Sequence, residues 1–312
     1  MRAMLAGLRC VHREFLGINR RNHDYLFRWN RRDRWALVDD KRETKRVLAQ
    51  SGLPTPALLA VCEAPWEIAG LRPTLEAAGA FALKPARGAG GSGIVVVVER
   101  RGERFVTASG RTLGWRDLTA HAADVLAGVH SMGGRDDALL VEARVAAAPA
   151  LAAFGWGGVP DLRVVVLRGV PVLAMLRLPT RRSAGRANLH LGGIGVGVAL
   201  DSGTTTYAVA GRRPVTAHPD TGAALAGVAL PAWEETLRLA VRAADAVGLG
   251  FLGVDVVVDG RHGPLVLELN ARPGLAVQLA NRRGLRPLLE RVGRAAIPAD
   301  VEARVALGRS LR

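Results

Sequence analysis

The sequence predicts an α+β protein large enough for two or three subdomains, and three observations predict it. A C-terminal stretch, Phe251–Leu275 (FLGVDVVVDGRHGPLVLELNARPGL), reads as two antiparallel strands joined by a turn. A second strand pair, FALKPA and GIVVVVER, flanks the glycine-rich connection RGAGGSG at 87–93. Helical patterns at 39–52, 115–130 and 231–248 stand apart from the hairpins, as in α+β folds. The chain has 312 residues, 49% of them hydrophobic, which fits a globular core and not a disordered chain.

Taken in order, residues 1–38 form a strongly basic segment. Arg20, Arg21, Arg28, Arg31, Arg32 and Arg34 interleave with Tyr25, Phe27, Trp29 and Trp35. The expectation is a helical arm packed on the body with its arginines solvated. A surface for RNA or another anion, and a peripheral contact with anionic lipid, stay open as alternatives. At DDKRETKRVLAQSG a helix is expected, with Asp40 as its cap, Glu43 completing a capping box and Gly52 ending it. In RGAGGSG, glycines admit positive φ and let backbone N–H groups approach an anion closely. The layout strand, glycine loop, strand differs from a Walker loop or a dinucleotide fingerprint, both of which run on into a helix.

ALLVEARV at 138–145 reads as a strand after the 115–130 helix. Asp161–Pro179 reads as a hairpin turning near Arg168-Gly169, with Arg163 and Arg177 set in aliphatic strands. An arginine there needs a charged partner or an anion. TRRSAGRANLHLGGIGVG is a loop entering a glycine-rich strand. The segment 231–248 is a helix whose Leu237, Val241, Ala244 and Val247 share one face.

In the C-terminal hairpin, successive residues point to opposite faces. Val254, Val256 and Val258 with Leu265, Leu267 and Leu269 form an aliphatic face; Asp255, Glu268 and Asn270 fall on the other. Pairing Asp255 with Glu268 leaves DGRHGP as the connection, which has turn chemistry. Two carboxylates and an amide oxygen suit a hard cation such as Mg²⁺, with Mn²⁺ as an alternative.

The net charge is +15, carried by arginines spread along the chain and not gathered in a stripe, so nucleic acid is not the expected partner. The chain has three lysines, Lys41, Lys45 and Lys84, where it otherwise uses arginine. That choice suits sites that need a compact charge on a flexible stem. Two cysteines, Cys10 and Cys62, without metal-ligand spacing, argue for a reducing, cytoplasmic setting. No apolar run is long enough to span a membrane, and the start is too short for a signal peptide.

GVDVVV followed by ELNARPG resembles the metal-binding end of the ATP-grasp ligases. LGINRRNHDYL, LVDDK, MLRLPT, ANLHLGG, HPDTG and LELNARPGL together resemble its alpha-L-glutamate ligase-like branch, related to the ribosomal-protein glutamate ligases. The resemblance runs from about Asp39 to Leu289, with only 40 residues before Lys41 where many relatives carry a whole α/β domain. It implies an ATP-grasp fold of two α+β lobes holding the nucleotide between them. The first lobe would be 39–142 and the second 143–312, after the basic segment 1–38. It implies that Lys41, Lys84, Arg87 and the loop residues Gly88, Gly90, Gly91, Ser92 and Gly93 bind ATP phosphates. The backbone around Ala143 and Val145 would meet adenine, and Glu142 the ribose. Asp255, Glu268 and Asn270 would hold Mg²⁺. Arg163, with Arg177, Arg272 and Asn188, would serve the acid and its activated form. Where ribosomal-protein glutamate ligases carry a basic residue, this chain has Leu191.

The implied activity is an ATP-dependent carboxylate–amine ligase working through an acyl phosphate, adding glutamate or another amino acid to an amine. Its substrates would be small molecules or peptides, and a protein partner or second subunit would complete the acceptor site. An ATP-grasp phosphotransferase, and a non-catalytic basic RNA- or membrane-binding protein on a nucleotide-binding scaffold, remain as alternatives.

Overall fold

A computed structural model describes residues 14–88, 90–131 and 133–311. Cys10 and the short apolar start lie outside the described residues. The architecture is α+β, with two antiparallel sheets. The first contains β1 (Leu58–Cys62), β2 (Phe81–Pro85), β3 (Val95–Arg101), β4 (Arg104–Thr107), β5 (Thr112–Leu113) and β6 (Leu139–Ala143), in the order β1-β6-β2-β3-β4-β5. The second contains β7 (Asp161–Leu167), β8 (Val170–Leu178), β9 (Ile194–Val198), β10 (Thr205–Ala210), β11 (Arg213–Pro214), β12 (Phe251–Asp259) and β13 (Gly263–Asn270). Its order is β11-β10-β9-β8-β7-β12-β13.

Helix α1 (Lys41–Gln50) lies between the sheets, α2 (Leu71–Ala78) and α3 (Trp115–Leu126) cover the first, and α4 (Trp233–Val247) packs on the second. Three helices close the chain: α5 (Ala276–Asn281), α6 (Arg286–Arg294) and α7 (Val301–Arg309).

The second sheet is covered on both faces, and its strand sequences show why. In β7, Val164 and Val166 face α4 while Val165 and Leu167 face the opposite cluster of Phe251, Leu288 and Leu289. Both sets are apolar, so the strand is buried throughout. The shared face of Leu237, Val241, Ala244 and Val247 packs α4 under the C-terminal hairpin. The β7–β8 turn places Arg168 and Gly169 at φ +52° and +74°, the paired positive values of a tight hairpin that follows sheet twist.

Residues 14–38 of the basic segment form a packed arm. Helical turns run through 18–29, including a π-helical stretch at Arg21–Leu26. Leu16 and Tyr25 join the cluster on the outer face of the second sheet. Asn30 ties the arm to β12: its amide donates to the Phe251 carbonyl at 2.6 Å and its oxygen accepts from the Phe251 N–H at 2.8 Å. No helix among the described residues is long and apolar enough to cross a membrane.

Two local expectations are corrected. Asp40 caps α1, accepting from the Arg42 N–H at 2.9 Å, but Glu43 does not complete a capping box; its carboxylate turns outward to Arg46 at 2.8 Å. In the C-terminal hairpin, Asp255 pairs with Glu268 as expected, but a bulge follows, and Val256 pairs with Val266. One extra residue on β13 moves every later side chain to the other face. Val266 joins Val254, Val256, Val258 and Leu269 in one core cluster; Leu265 is buried outside that cluster, and Leu267 is left half-buried.

Candidate active site between the sheets

Register assembles the site. In β2 and β6, Lys84 pairs with Leu140 and Ala82 with Glu142, so Lys84 and Glu142 are diagonal neighbours on one face. They meet at 2.5 Å. Lys41 and Lys45 are four apart on α1 and share its inner side. Lys45 reaches the other Glu142 oxygen at 3.0 Å and the Pro56 carbonyl at 2.6 Å. Lys41 donates to the Gly88 carbonyl at 2.7 Å and lies 3.5 Å from Glu268. All three lysines of the chain therefore converge between the sheets.

Glu142 is 2% exposed. Burial pushes its carboxyl up, but Lys84 and Lys45 outweigh that and hold it below the usual range. Burial likewise lowers the Lys45 ammonium, against the opposing pull of Glu142.

On the second sheet, Asp255 stands directly opposite Arg163 across β12–β7, and Asp161 opposite Arg177 across β7–β8. The four form one buried cluster. Arg163 grips Asp255 with both Nε and Nη2; Arg177 binds Asp161 through Nε and reaches Asp255 through Nη2 at 2.7 Å. Gly253 makes room, because a Cβ there would lie 2.9 Å from Arg163 Cδ. Burial pushes the Asp161 carboxyl up to about 6; Arg177 opposes this and Asp255 adds to it. For Asp255, burial acts upward, but Arg163 and Arg177 prevail and hold its carboxyl low.

The glycine-rich loop is held at both ends. The Arg87 N–H donates to both oxygens of Asp137 at 3.0 Å, and Asp137 also accepts from Ser131 Oγ. Gly93 takes φ +70°, and a Cβ there would lie 2.6 Å from the His130 ring. Asn188, from the loop between β8 and β9, donates to the Gly90 carbonyl at 3.0 Å, bridging from the second sheet to the glycine loop.

A profile of the sugar-transfer associated ATP-grasp family matches residues 20–294. The chain belongs to that family. Curated relatives include proteins named "Probable alpha-L-glutamate ligase" from Xanthomonas axonopodis pv. citri and Xylella fastidiosa. They are 36% and 35% identical over 115 residues, which is 37% of this chain and 28% and 27% of theirs. The chain thus spans little more than a quarter of those relatives' length in the match. Among solved structures, the ATP-grasp ligase PsnB complexed with minimal precursor aligns with a TM-score of 0.46 at 17% identity, covering 89% of this chain and 62% of that one.

Set against the ATP-grasp expectations, the geometry brings Lys41, Lys84, Glu142, Glu268, Asn270 and the glycine loop together and moves several assignments. The two oxygens of Glu142 are taken by lysines, not open to a ribose. Ala143 donates its N–H to the Ala57 carbonyl at 2.8 Å, so that donor is not open to a base; Val145 lies half-buried in the segment that follows. Arg87 folds back toward Asp40, at 3.3 Å. Arg163 and Arg177 are consumed by aspartates and present no free guanidinium. Arg272 leaves the cleft: it pairs with Asp39 at 3.1 Å and lies over the Trp35 ring at 4.6 Å.

The fit to a hard cation rests on Glu268 and Asn270. Asn270 Nδ2 donates to Asp255 at 3.3 Å, which turns its amide oxygen away from Asp255, and the Glu268 side chain is 32% exposed. Asp255 stands behind them with its oxygens engaged. No group of three or more His, Cys, Asp or Glu side chains among the described residues is placed to hold a metal, so a cation here depends on the amide.

Lys45, Asp137 and Asp161 were not among the expected site residues. For Lys45 the signal was present, since it is one of three lysines and one helical turn from Lys41. Asp137 finds its role by pairing with backbone 50 residues away, whereas Asp161 sits opposite Arg177 in the hairpin the sequence predicts, so its register carried the signal.

Proposed function

We propose that this chain is an ATP-dependent carboxylate–amine ligase that activates its acid as an acyl phosphate. The observation that carries the reading is the convergence of Lys41, Lys45 and Lys84 with a glycine-rich loop on one side of a cleft, against Glu268 and Asn270 on the other. Membership in the ATP-grasp family and the names of the curated relatives support it.

A carboxylate resists amines in water because its oxygen leaves poorly. Transfer of the γ-phosphoryl group solves this: a carboxylate oxygen attacks phosphorus, and ADP departs with the bridging oxygen. The amine then attacks the acyl carbon, phosphate leaves, and nitrogen loses a proton. Such chemistry needs charge neutralisation and positioning more than covalent help. In this reading Lys84 and Lys45, oriented by Glu142, and Lys41 neutralise the phosphates. Glu268 and Asn270, with Asp255 behind them, would hold Mg²⁺, which supplies further neutralisation of the transferring group. Arg163 and Arg177 act through Asp255 as positioning residues. The glycine loop, held across the cleft by Asn188, keeps water from the activated acid.

The test is ADP release from Mg-ATP with pooled acids, amino acids, peptides and amines, products being read by mass. A product weighing acid plus amine less water is expected. A stable phosphorylated product would mean a phosphotransferase instead, and neither ADP release nor an ATP-induced rise in melting temperature would overturn nucleotide chemistry at this site.

A further inference from the structure

Next to the charged cleft lies a cavity of about 910 Å³ that the phosphate chemistry does not use. It is walled by the arm, by the loop between β8 and β9, and by the start of α5. Gly274 and Leu275, which line it, follow Asn270 by only a few residues, and the loop that lines it with Arg182, Leu189 and His190 is the one whose Asn188 touches the glycine loop.

Two features of its lining stand out. The walls are apolar: Ile18, Leu189, Ile194, Leu275 and Leu279 all face it. Ile18 and Leu279 are 62% and 45% exposed, and Leu191, between two lining residues, is 40% exposed. Grouped exposed aliphatics of this kind mark a binding surface. The charge lining the cavity is also one-sided. Arg21, Arg182 and Arg212 border it, and among the described residues none of the three has a carboxylate partner. Arg21 gives Nε–H and one Nη2–H to Asn22 and one Nη1–H to the Pro273 carbonyl at 3.1 Å, which leaves an N–H on each Nη for an anion. The one lining carboxylate, Asp220, is committed to the Arg181 N–H at 2.7 Å. Such a lining repels an amine and attracts an anion. A volume of this size suits a ligand of drug-like bulk, roughly 300–1,000 Å³ of pocket, and an all-polar amino acid would leave most of these aliphatic walls against water.

We infer that this cavity binds the acid substrate, and that the acid is an amphipathic carboxylate, with an aliphatic or aromatic body seated on Ile18, Leu275 and Leu279 and its carboxylate drawn by Arg21. The inference rests on the ligase reading for the word substrate; the binding preference itself does not.

The experiment is calorimetric titration of the full chain with octanoate, glutamate, 1-octanol and octyl phosphate. Octanoate is expected to bind at least about tenfold tighter than glutamate or octanol, and no weaker than octyl phosphate. Arg21→Met should weaken octanoate about tenfold and leave octanol unchanged, whereas Leu279→Asp should weaken both. Melting curves check that the variants fold, and the wild-type ranking stands without them. Glutamate binding as tightly as octanoate, a strong preference for octyl phosphate, or octanoate affinity indifferent to both substitutions would overturn the inference. ADP release is measured alongside. Octanoate binding with no ADP release for any acid would sink the ligase reading and leave the cavity assignment standing. ADP release with glutamate and no octanoate binding would do the reverse.

Discussion

The two sheets meet the cleft with buried charge clusters of opposite arithmetic. On the first sheet one carboxylate, Glu142, serves two ammonium groups, Lys45 and Lys84, so one positive charge is left over. On the second, Asp161 and Asp255 meet Arg163 and Arg177, and nothing is left over. Leaving a charge unbalanced in a low-dielectric place is costly unless something arrives to balance it. The excess on the first sheet fits a phosphate site, and the closed balance on the second fits an anchor that fixes the strands carrying Glu268 and Asn270. Lys41 and Glu268, 3.5 Å apart, span the gap between the two clusters.

The largest effect that could break this comparison is at Glu268. Its contact with Lys41 is loose and its side chain is one-third exposed, so Glu268→Ala should change stability by less than about 1 kcal/mol. ADP release, by contrast, should fall by about 10³-fold, the scale of losing one electrostatic element of a transition-state site. A variant with full ATP-dependent turnover would remove Glu268 from the chemistry.

Next come the cluster acids. Glu142→Gln and Asp255→Asn each leave buried cations unpaired and should each cost about 3–5 kcal/mol in denaturant unfolding. The comparison predicts how they differ. ATP or tripolyphosphate should restore much of the loss in Glu142→Gln, because an anion can stand in for the missing carboxylate beside Lys45 and Lys84. The same anions should restore little in Asp255→Asn, where Arg177 keeps Asp161 and the stranded Arg163 is buried. Equal rescue of both would mean the two clusters are not functionally distinct.

How much of this the sequence displayed follows from the range of each interaction. The Asp255–Glu268 pairing was legible because one short turn joins the strands and side chains alternate. The bulge beyond it was not, since nothing in VVVDGRHGPLVLEL says which strand carries the extra residue. The lysines were legible by their rarity. Asp161 meets Arg177 within one hairpin, but Asp255, which both Arg163 and Arg177 bind, stands 92 and 78 residues from them on a strand that has to become a neighbour. Alternation can propose a face but not the strand that lies beside it. Arg272 shows the converse error. Its position after Asn270 suggested the cleft, yet Trp35 and Asp39 on the arm offer it a ring and a carboxylate.

Lys45 gives a smaller and sharper test. Lys45→Met leaves Lys84 to hold Glu142, so the fold should survive. ATP binding should weaken about tenfold, near 1.4 kcal/mol, when measured by calorimetry. Unchanged ATP affinity would reduce Lys45 to a structural partner of Glu142.

The smallest expected effect is in pH dependence, where the clusters should act with opposite sign. The Glu142 carboxyl is held below its ordinary value in the folded chain, so its contribution to stability is present above that ordinary value and is lost as pH falls through the folded one. Asp161 is raised from 3.8 to about 6. The folded chain therefore holds a proton there that the unfolded chain has already released, and the stability this proton provides is lost as pH rises from about 4 to about 6. Asp161→Asn carries no titrating group at this place. The stability of the parent chain minus that of Asp161→Asn, from unfolding midpoints across this range, should therefore decline as pH rises and level off above about 7. A difference that stays flat, or climbs with pH, would mean that Asp161 is ionised throughout by its bond to Arg177 and that the second cluster behaves as two closed ion pairs. A decline would mean that its balance of two acids against two arginines is reached only near neutral pH, where the first cluster already carries its excess charge.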